Sequence, residues 1–189
     1  MAVRRDIQTG YLGIEVPPAA RALGVPCGII SGMSATRATT ALDQAGVGYR
    51  AHPYDLPDAP AGSYGEAVAA AIGFEPERVF KTLIAEVDGN PVVAIVPVSH
   101  SLRLKALASE QSGKKASMAD PGDAERLTGY ITGGISPLGQ RKRLPAVLDH
   151  TALEWNTICV SGGLRGLQLE LAPGDLAALI GAVIAPISG

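Results

Sequence analysis

Apolar and polar positions fall into regular periods only from about Ser34 onward. Before that, residues 1–33 carry scattered Gly and Pro, including Pro17-Pro18 and Gly24, with no sustained period. The helix-like piece 19–23 is too short to stand alone. A helix starts near Ser34 or Thr36 and stops at Gly46, a residue suited to the position after a helix end. We therefore expect residues 1–33 to be an N-terminal extension, poorly ordered or the product of a start codon set too early. One domain then spans 34–189.

Within that domain the pattern predicts a strand over 49–54. Ser63-Tyr64-Gly65-Glu66 is a capping box that opens a helix through 67–72, ended by Gly73. Apolar strands follow over 79–87 and 92–98, joined by the turn Asp88-Gly89-Asn90. Residues 105–110 read as a short helix. Asp120 caps another, with Pro121 at its first position and Gly129 past its end. Short strands are expected over 146–149, 157–161 and 167–171, and a closing helix over 174–182. Hairpin-linked strands with helices interspersed, rather than strictly alternating, imply a mixed sheet or a partly closed barrel.

Composition narrows the function. Hydrophobic residues make up 47% and charged residues 18% of the 189 positions, enough for a real core. The net charge of −2 excludes a generic polyanion binder, so any nucleic-acid contact must be a local basic patch. Two cysteines, Cys27 and Cys159, cannot form a disulfide framework and fit a reducing, cytoplasmic setting. No apolar run approaches the roughly 20 residues of a membrane helix.

The candidate chemistry concentrates in two places. The first is Gly133-Gly134-Ile135-Ser136-Pro137-Leu138-Gly139-Gln140, followed by Arg141-Lys142-Arg143. Small residues bring bare backbone close to a ligand, and free amides can point at an anion or a carbonyl oxygen. Taken alone, the segment reads equally as a surface turn with solvated charges. The second is Lys81, which shares a strand face with Val79, Leu83, Ala85 and Val87. A lysine there either reaches water at the end of the sheet or is aimed into a pocket. Phe80, Thr82 and Ile84 make the opposite face look buried too, which favours the pocket.

Tyr54 and Tyr130 could stack on a base or ribose, or simply pack. Ser161-Gly162-Gly163 is a second small-residue turn. His52, His100 and His150 lack metal-ligand spacing, and no nucleophile elbow, phosphate loop or dinucleotide fingerprint occurs. We expect no metal and no cofactor.

Several of these pieces together resemble the YbaK/EbsC family of free-standing aminoacyl-tRNA deacylases, relatives of the editing domain of bacterial prolyl-tRNA synthetase. The matching segments are Val79-Phe80-Lys81-Thr82-Leu83, Met118-Ala119-Asp120-Pro121, Thr128-Gly129-Tyr130, the run 133–145, Ser161-Gly162-Gly163 and Arg165-Gly166-Leu167. The resemblance implies an α/β fold of the α+β type, a mixed sheet curled into an irregular barrel with surrounding helices. It implies clearance of Cys-tRNA(Pro), and of Cys-tRNA(Cys), by attack of the substrate's own thiol on its ester. By the same resemblance, Lys81 would anchor the terminal phosphate, and Gly133 and Gly134 would serve the ester. Tyr54, Tyr130, Ile135, Ser136, Pro137, Ser161 and Gly162 would surround the aminoacyl group. Arg141, Lys142 and Arg143 would contact tRNA phosphates, with prolyl-tRNA synthetase as the working partner.

Two departures stand out. Gln168 occupies a position where the resemblance implies an acidic residue, and Arg103 sits where it implies Asp. Two other readings remain: a deacylase for another small amino acid, as in Ala-tRNA(Pro), or a non-catalytic module binding tRNA ends or nucleotides.

Overall fold

The computed structural model describes residues 35–56 and 63–189. The expectations for residues 1–33, and Cys27 with them, lie outside the described residues.

The helix α1 (Arg37–Ala45) begins at Thr36, whose side chain accepts from the Thr39 amide while Thr39 returns the bond. It ends at Gly46 in the left-handed conformation. The strand β1 (Arg50–Pro53) follows, then α2 (Tyr64–Ile72), capped by Ser63 as its sequence demands. A single 3₁₀ turn leads into β2 (Val79–Val87), which folds back on β3 (Asn90–Pro97). Both turn residues, Asp88 and Gly89, have positive φ, the geometry that matches strand twist in a two-residue hairpin.

The rest of the chain is α3 (Leu104–Glu110), β4 (Ala116–Met118), α4 (Pro121–Thr128), β5 (Ala146–Asp149), β6 (Ile158–Ser161), β7 (Leu167–Leu171), α5 (Pro173–Ile180) and β8 (Val183–Ala185). Two strands, β4 and β8, carry no sequence signal. Each has three residues. Met118, Val183 and Ile184 are exposed, so neither strand shows an apolar period. Asp88 holds β4 in place, its carboxylate accepting from the amides of Lys114 and Lys115 at 2.8 and 3.0 Å. The closing helix stops at Ile180 because Gly181 adopts the left-handed cap, and residues 183–185 then pair with β5.

The eight strands form one mixed sheet in the order β1-β7-β6-β2-β3-β5-β8, with β4 also on β2. This is the expected mixed α/β class. Among the described residues the hydrogen-bonded ladder runs from β1 to β8 without pairing those two strands. Phe80, Ile84, Val160 and Leu169 look into the larger core beneath one face, where Leu42, Leu127 and Leu176 also pack. Ala85, Val87, Val96, Leu107 and Ile187 form a second core on the other face.

The register leaves part of β2 without a neighbour. On its outer edge β2 pairs with β6 only at Val79 and Phe80, and with β4 only from Ala85 to Val87. Residues 81–84 have no strand beside them on that edge.

Candidate active site

A cleft of about 370 Å³ opens at this gap. Its wall includes Lys81, Gly133, Ile135 and Ser161, which the sequence singled out, and Tyr64, Thr82 and Gln168 beside them. Among the described residues, no His, Cys, Asp or Glu lines it.

Lys81 resolves in favour of the pocket. It is half-buried, and the nearest polar partner of its Nζ is the Val98 carbonyl at 3.5 Å. Among the described residues no carboxylate forms an ion pair with it. Burial lowers its pKa, and the charge of Glu66 in the first turn of α2 partly offsets that. Gly65 lets α2 approach this closely: a Cβ there would fall 2.6 Å from a Val98 methyl.

The glycine loop is held from three sides. The Ser161 hydroxyl donates to the Gly134 carbonyl at 3.1 Å, and Arg165 donates to the Thr132 carbonyl at 3.0 Å. The Thr132 amide donates to Glu125 at 2.8 Å. Within the loop, the Gly134 amide is spent closing a turn on the Ile131 carbonyl at 2.9 Å. Of the two glycines, only Gly133 keeps an amide with no partner among the described residues, and only Gly133 lines the cleft. Its φ of +87° demands glycine, and the Arg165 guanidinium lies 3.0 Å from where a Cβ would stand.

Other expected site residues have supporting positions. Tyr130 is buried behind the loop, not at the cleft wall. Its hydroxyl donates to the Leu138 carbonyl at 2.8 Å and its ring packs under Arg37, 4.2 Å from centroid to guanidinium. Ser136 is fully buried, and its hydroxyl accepts from the Leu138 amide. The Gly162 amide donates to the Leu167 carbonyl, and a Cβ there would strike the Leu167 side chain. Tyr54 meets the site through Tyr64: the two hydroxyls are 3.1 Å apart. Burial and that bond push the Tyr64 phenol up to about 12, so Tyr64 stays a neutral donor.

The basic run does not border this cleft. The amides of Arg141 and Lys142 bond to the Thr128 and Leu127 carbonyls at the end of α4. That turns the run away, and Lys142 and Arg143 line a separate cleft of about 220 Å³ together with Pro137. Cys159 is buried, and burial pushes its thiol up to about 12, which removes it as a nucleophile.

The sequence pattern did not single out Tyr64 and Thr82, which also line the cleft. Tyr64 was hidden inside a capping motif. Thr82 lies on the strand face that alternation assigns to the core. Gln168 was visible only as a departure. It is buried, and its Oε1 has no hydrogen-bond partner, as is also true of the Thr82 hydroxyl.

Among the described residues the cleft thus holds one lysine without an ion-pair partner and an open backbone donor at Gly133. The chain belongs to the aminoacyl-tRNA editing domain family, whose model matches residues 59–179. It is 43% identical over 126 residues to the Enterococcus faecalis protein named "Putative Cys-tRNA(Pro)/Cys-tRNA(Cys) deacylase EbsC", covering 65% of this chain and 76% of that one. It is 30% identical over 115 residues to the Escherichia coli K12 "Multifunctional Ser/Thr-tRNA deacylase ProXp-y", covering 58% and 69%. Among solved structures, one described as a "putative trans-editing enzyme for prolyl tRNA synthetase" superposes with a TM-score of 0.71 at 25% identity, over 92% of this chain and 99% of that one. The family and these relatives are aminoacyl-tRNA deacylases, and this chain is an enzyme of that kind.

Proposed function

We propose that this chain clears Cys-tRNA(Pro), with Cys-tRNA(Cys) as a second substrate, by cleavage assisted by the substrate's own thiol. The observation that carries the reading is the make-up of the cleft wall: a lysine without a carboxylate partner, an open Gly133 amide and, among the described residues, no His, Cys, Asp or Glu. Lys81 takes the phosphate of the terminal nucleotide, and the Gly133 amide faces the ester carbonyl. The cysteinyl Sγ then forms a bond to the carbonyl carbon, the bond from that carbon to the ribose 3′-oxygen breaks, and the thiol proton ends on the departing ribose hydroxyl. Cysteine leaves as a cyclic thiolactone. A thiol has a pKa near ~8.5 and needs less activation than a hydroxyl. Cysteine and proline are close in size, so rejection by binding alone is weak and a second site must correct the error.

The small net charge implies weak, salt-sensitive tRNA binding by the domain itself. Prolyl-tRNA synthetase is the partner that would supply tRNA selectivity, and Arg141–Lys142–Arg143 would meet phosphates beyond the terminal nucleotide.

The test is a substrate panel. Cys-, Ser- and Ala-tRNA(Pro) are incubated with the full chain and the remaining ester is followed. Cys-tRNA(Pro) should be lost rapidly while the other two survive. Rapid loss of Ser-tRNA(Pro) would exclude thiol assistance and require a positioned water. Selective loss of Ala-tRNA(Pro) would establish the alanine-editing alternative, and no loss of any ester would leave a binding module.

A further inference from the structure

In hydrogen-bonding terms the gap in the sheet spans Thr82 and the amide of Ile84. The Val98 amide donates to the Val79 carbonyl at 2.8 Å, and Pro97, which has no amide hydrogen, faces Phe80. Odd-numbered residues of β2 therefore turn their backbone groups toward β3, and even-numbered ones turn outward. On the outer edge Phe80 faces β6, and the Ile84 carbonyl accepts from the Ala119 amide at 3.0 Å. Between them, the N–H and C=O of Thr82 have no strand partner, although they sit in the middle of a nine-residue strand. The Thr82 hydroxyl is buried and unpartnered as well. Three polar groups of one residue are thus unmatched at the cleft, where buried backbone groups are ordinarily paired.

We propose that the aminoacyl group fills this gap as a one-residue strand on Thr82. The inference rests on the deacylase reading above and deepens it. An aminoacyl ester has the N–Cα–C=O framework of a peptide residue. Two facing residues in an antiparallel ladder exchange both of their backbone bonds. Laid against Thr82, the substrate's α-amine donates to the Thr82 carbonyl, and the Thr82 amide donates to the ester carbonyl oxygen, where negative charge develops. Side chains of facing residues lie on the same side of a sheet. An L-configured side chain therefore points to the Thr82 face, toward Ile84, Ala124 and Ile135 and toward the unpartnered hydroxyl. That pocket suits a small side chain with one weak donor, such as a thiol. A D-residue would point to the opposite face, the side of Lys81.

Hydrogen exchange with residue resolution tests this in the full chain without a variant. In the free protein the Thr82 amide should exchange much faster than those of Lys81 and Leu83, which bond to β3. The probe is adenosine 5′-phosphate carrying an L-cysteinyl group in amide linkage on a 3′-amino group. It should slow exchange at Thr82 by about tenfold or more, the factor one good hydrogen bond supplies. The same nucleotide with a bare 3′-amine, or with D-cysteine, should not. A second measurement uses Thr82→Val, which keeps the shape and removes the hydroxyl: the L-cysteinyl probe should still protect the residue-82 amide but bind more weakly. Protection of Thr82 already in the free protein would overturn the proposal, as would its indifference to the L-probe or equal protection by the D-probe. If the same preparation cleaves Cys-tRNA(Pro), such a failure removes this inference alone. If it does not, the deacylase reading falls instead.

Discussion

Lys81 offers a prediction in which activity and stability move apart. Its ammonium sits half-buried with only a carbonyl at 3.5 Å, and burial lowers its pKa from 10.5. A unit-charge pair at ~4 Å and an effective dielectric of about 20 gains about 4 kcal/mol. After the cost of desolvation, a hydrogen bond to a charged group retains about 1.5–3 kcal/mol, so Lys81→Met should lose about 10- to 150-fold in kcat/KM. The same substitution should leave the melting temperature unchanged or raise it, because the folded state no longer holds a charge that burial disfavours. The pH dependence has a fixed sign. The charged form binds phosphate, so KM rises as pH climbs through the lowered pKa of Lys81. Glu66 pulls that pKa upward, so Glu66→Gln should move the rise in KM to lower pH. Deacylation kinetics from pH 6.5 to 10, alongside thermal melts, check all of this. A Lys81→Met protein that retains full kcat/KM, or that loses activity only because it melts earlier, refutes the reasoning.

Four further outcomes follow from the geometry. Gly133→Ala forces a left-handed non-glycine residue at about 1–2 kcal/mol and pushes on the Arg165 guanidinium; kcat/KM should drop while the melting temperature falls by only a few degrees. Burial raises the Glu170 pKa, but bonds from Thr157 and His52 and the charge of Arg78 outweigh it and hold it below 4.5. Its stabilisation is therefore present above pH ~4.5 and lost as pH falls through the lowered value; Glu170→Gln should cost about 1–3 kcal/mol at pH 7 in urea melts, and the difference from wild type should shrink below pH 4. Asp149 accepts from the amides of Thr151, Ile187 and Ser188, so Asp149→Ala should destabilise by about 3 kcal/mol or more and free the C-terminal residues to proteolysis. Cys159 should resist alkylation at pH 8 in the native protein and react once it is unfolded, as peptide mapping would show.

The elements legible in the sequence are those with local chemistry of their own. Thr36 and Ser63 cap helix starts; Asp120 stands at the third, but its side chain makes no capping bond and Pro121 carries that signal; Gly46, Gly73 and Gly129 mark helix ends, and Asp88-Gly89 marks the hairpin. Lys81 was legible as a pocket residue because a charge on an apolar strand face needs an explanation. Tyr130 was not readable as a strut, since its role depends on Leu138, eight residues away, and on Arg37, far earlier in the chain. The path of Arg141–Lys142–Arg143 was hidden for the same reason: two amides bonded to the end of α4 decide it, and no side-chain pattern records them. Thr82 was the least visible of all. Alternation placed its side chain on the core face, where it is only partly buried and lines the cleft, while its function would reside in a backbone edge that only the register of two other strands exposes.

That edge exists because β4 is short and is held at a distance. Asp88 binds the amides of Lys114 and Lys115, which fixes β4 at the hairpin end of β2. After Met118 only the Ala119 amide still reaches β2, at Ile84, and Pro121 then commits the chain to α4. From the other end, Ser161 leaves β2 to hold the Gly134 carbonyl rather than continuing beside Lys81. A longer β4 or a straighter β6 would satisfy Thr82, improve the sheet and close the cleft. The fold gives up ladder bonds at this one point, and the same two strand ends that create the gap also position the Gly133 loop above it. Stability lost at Thr82 is what leaves a backbone donor and acceptor free for substrate. A double substitution Asp88→Ala with Thr82→Val should therefore show coupling in substrate affinity but near-additivity in stability, because only binding requires the edge and the hydroxyl to be presented together.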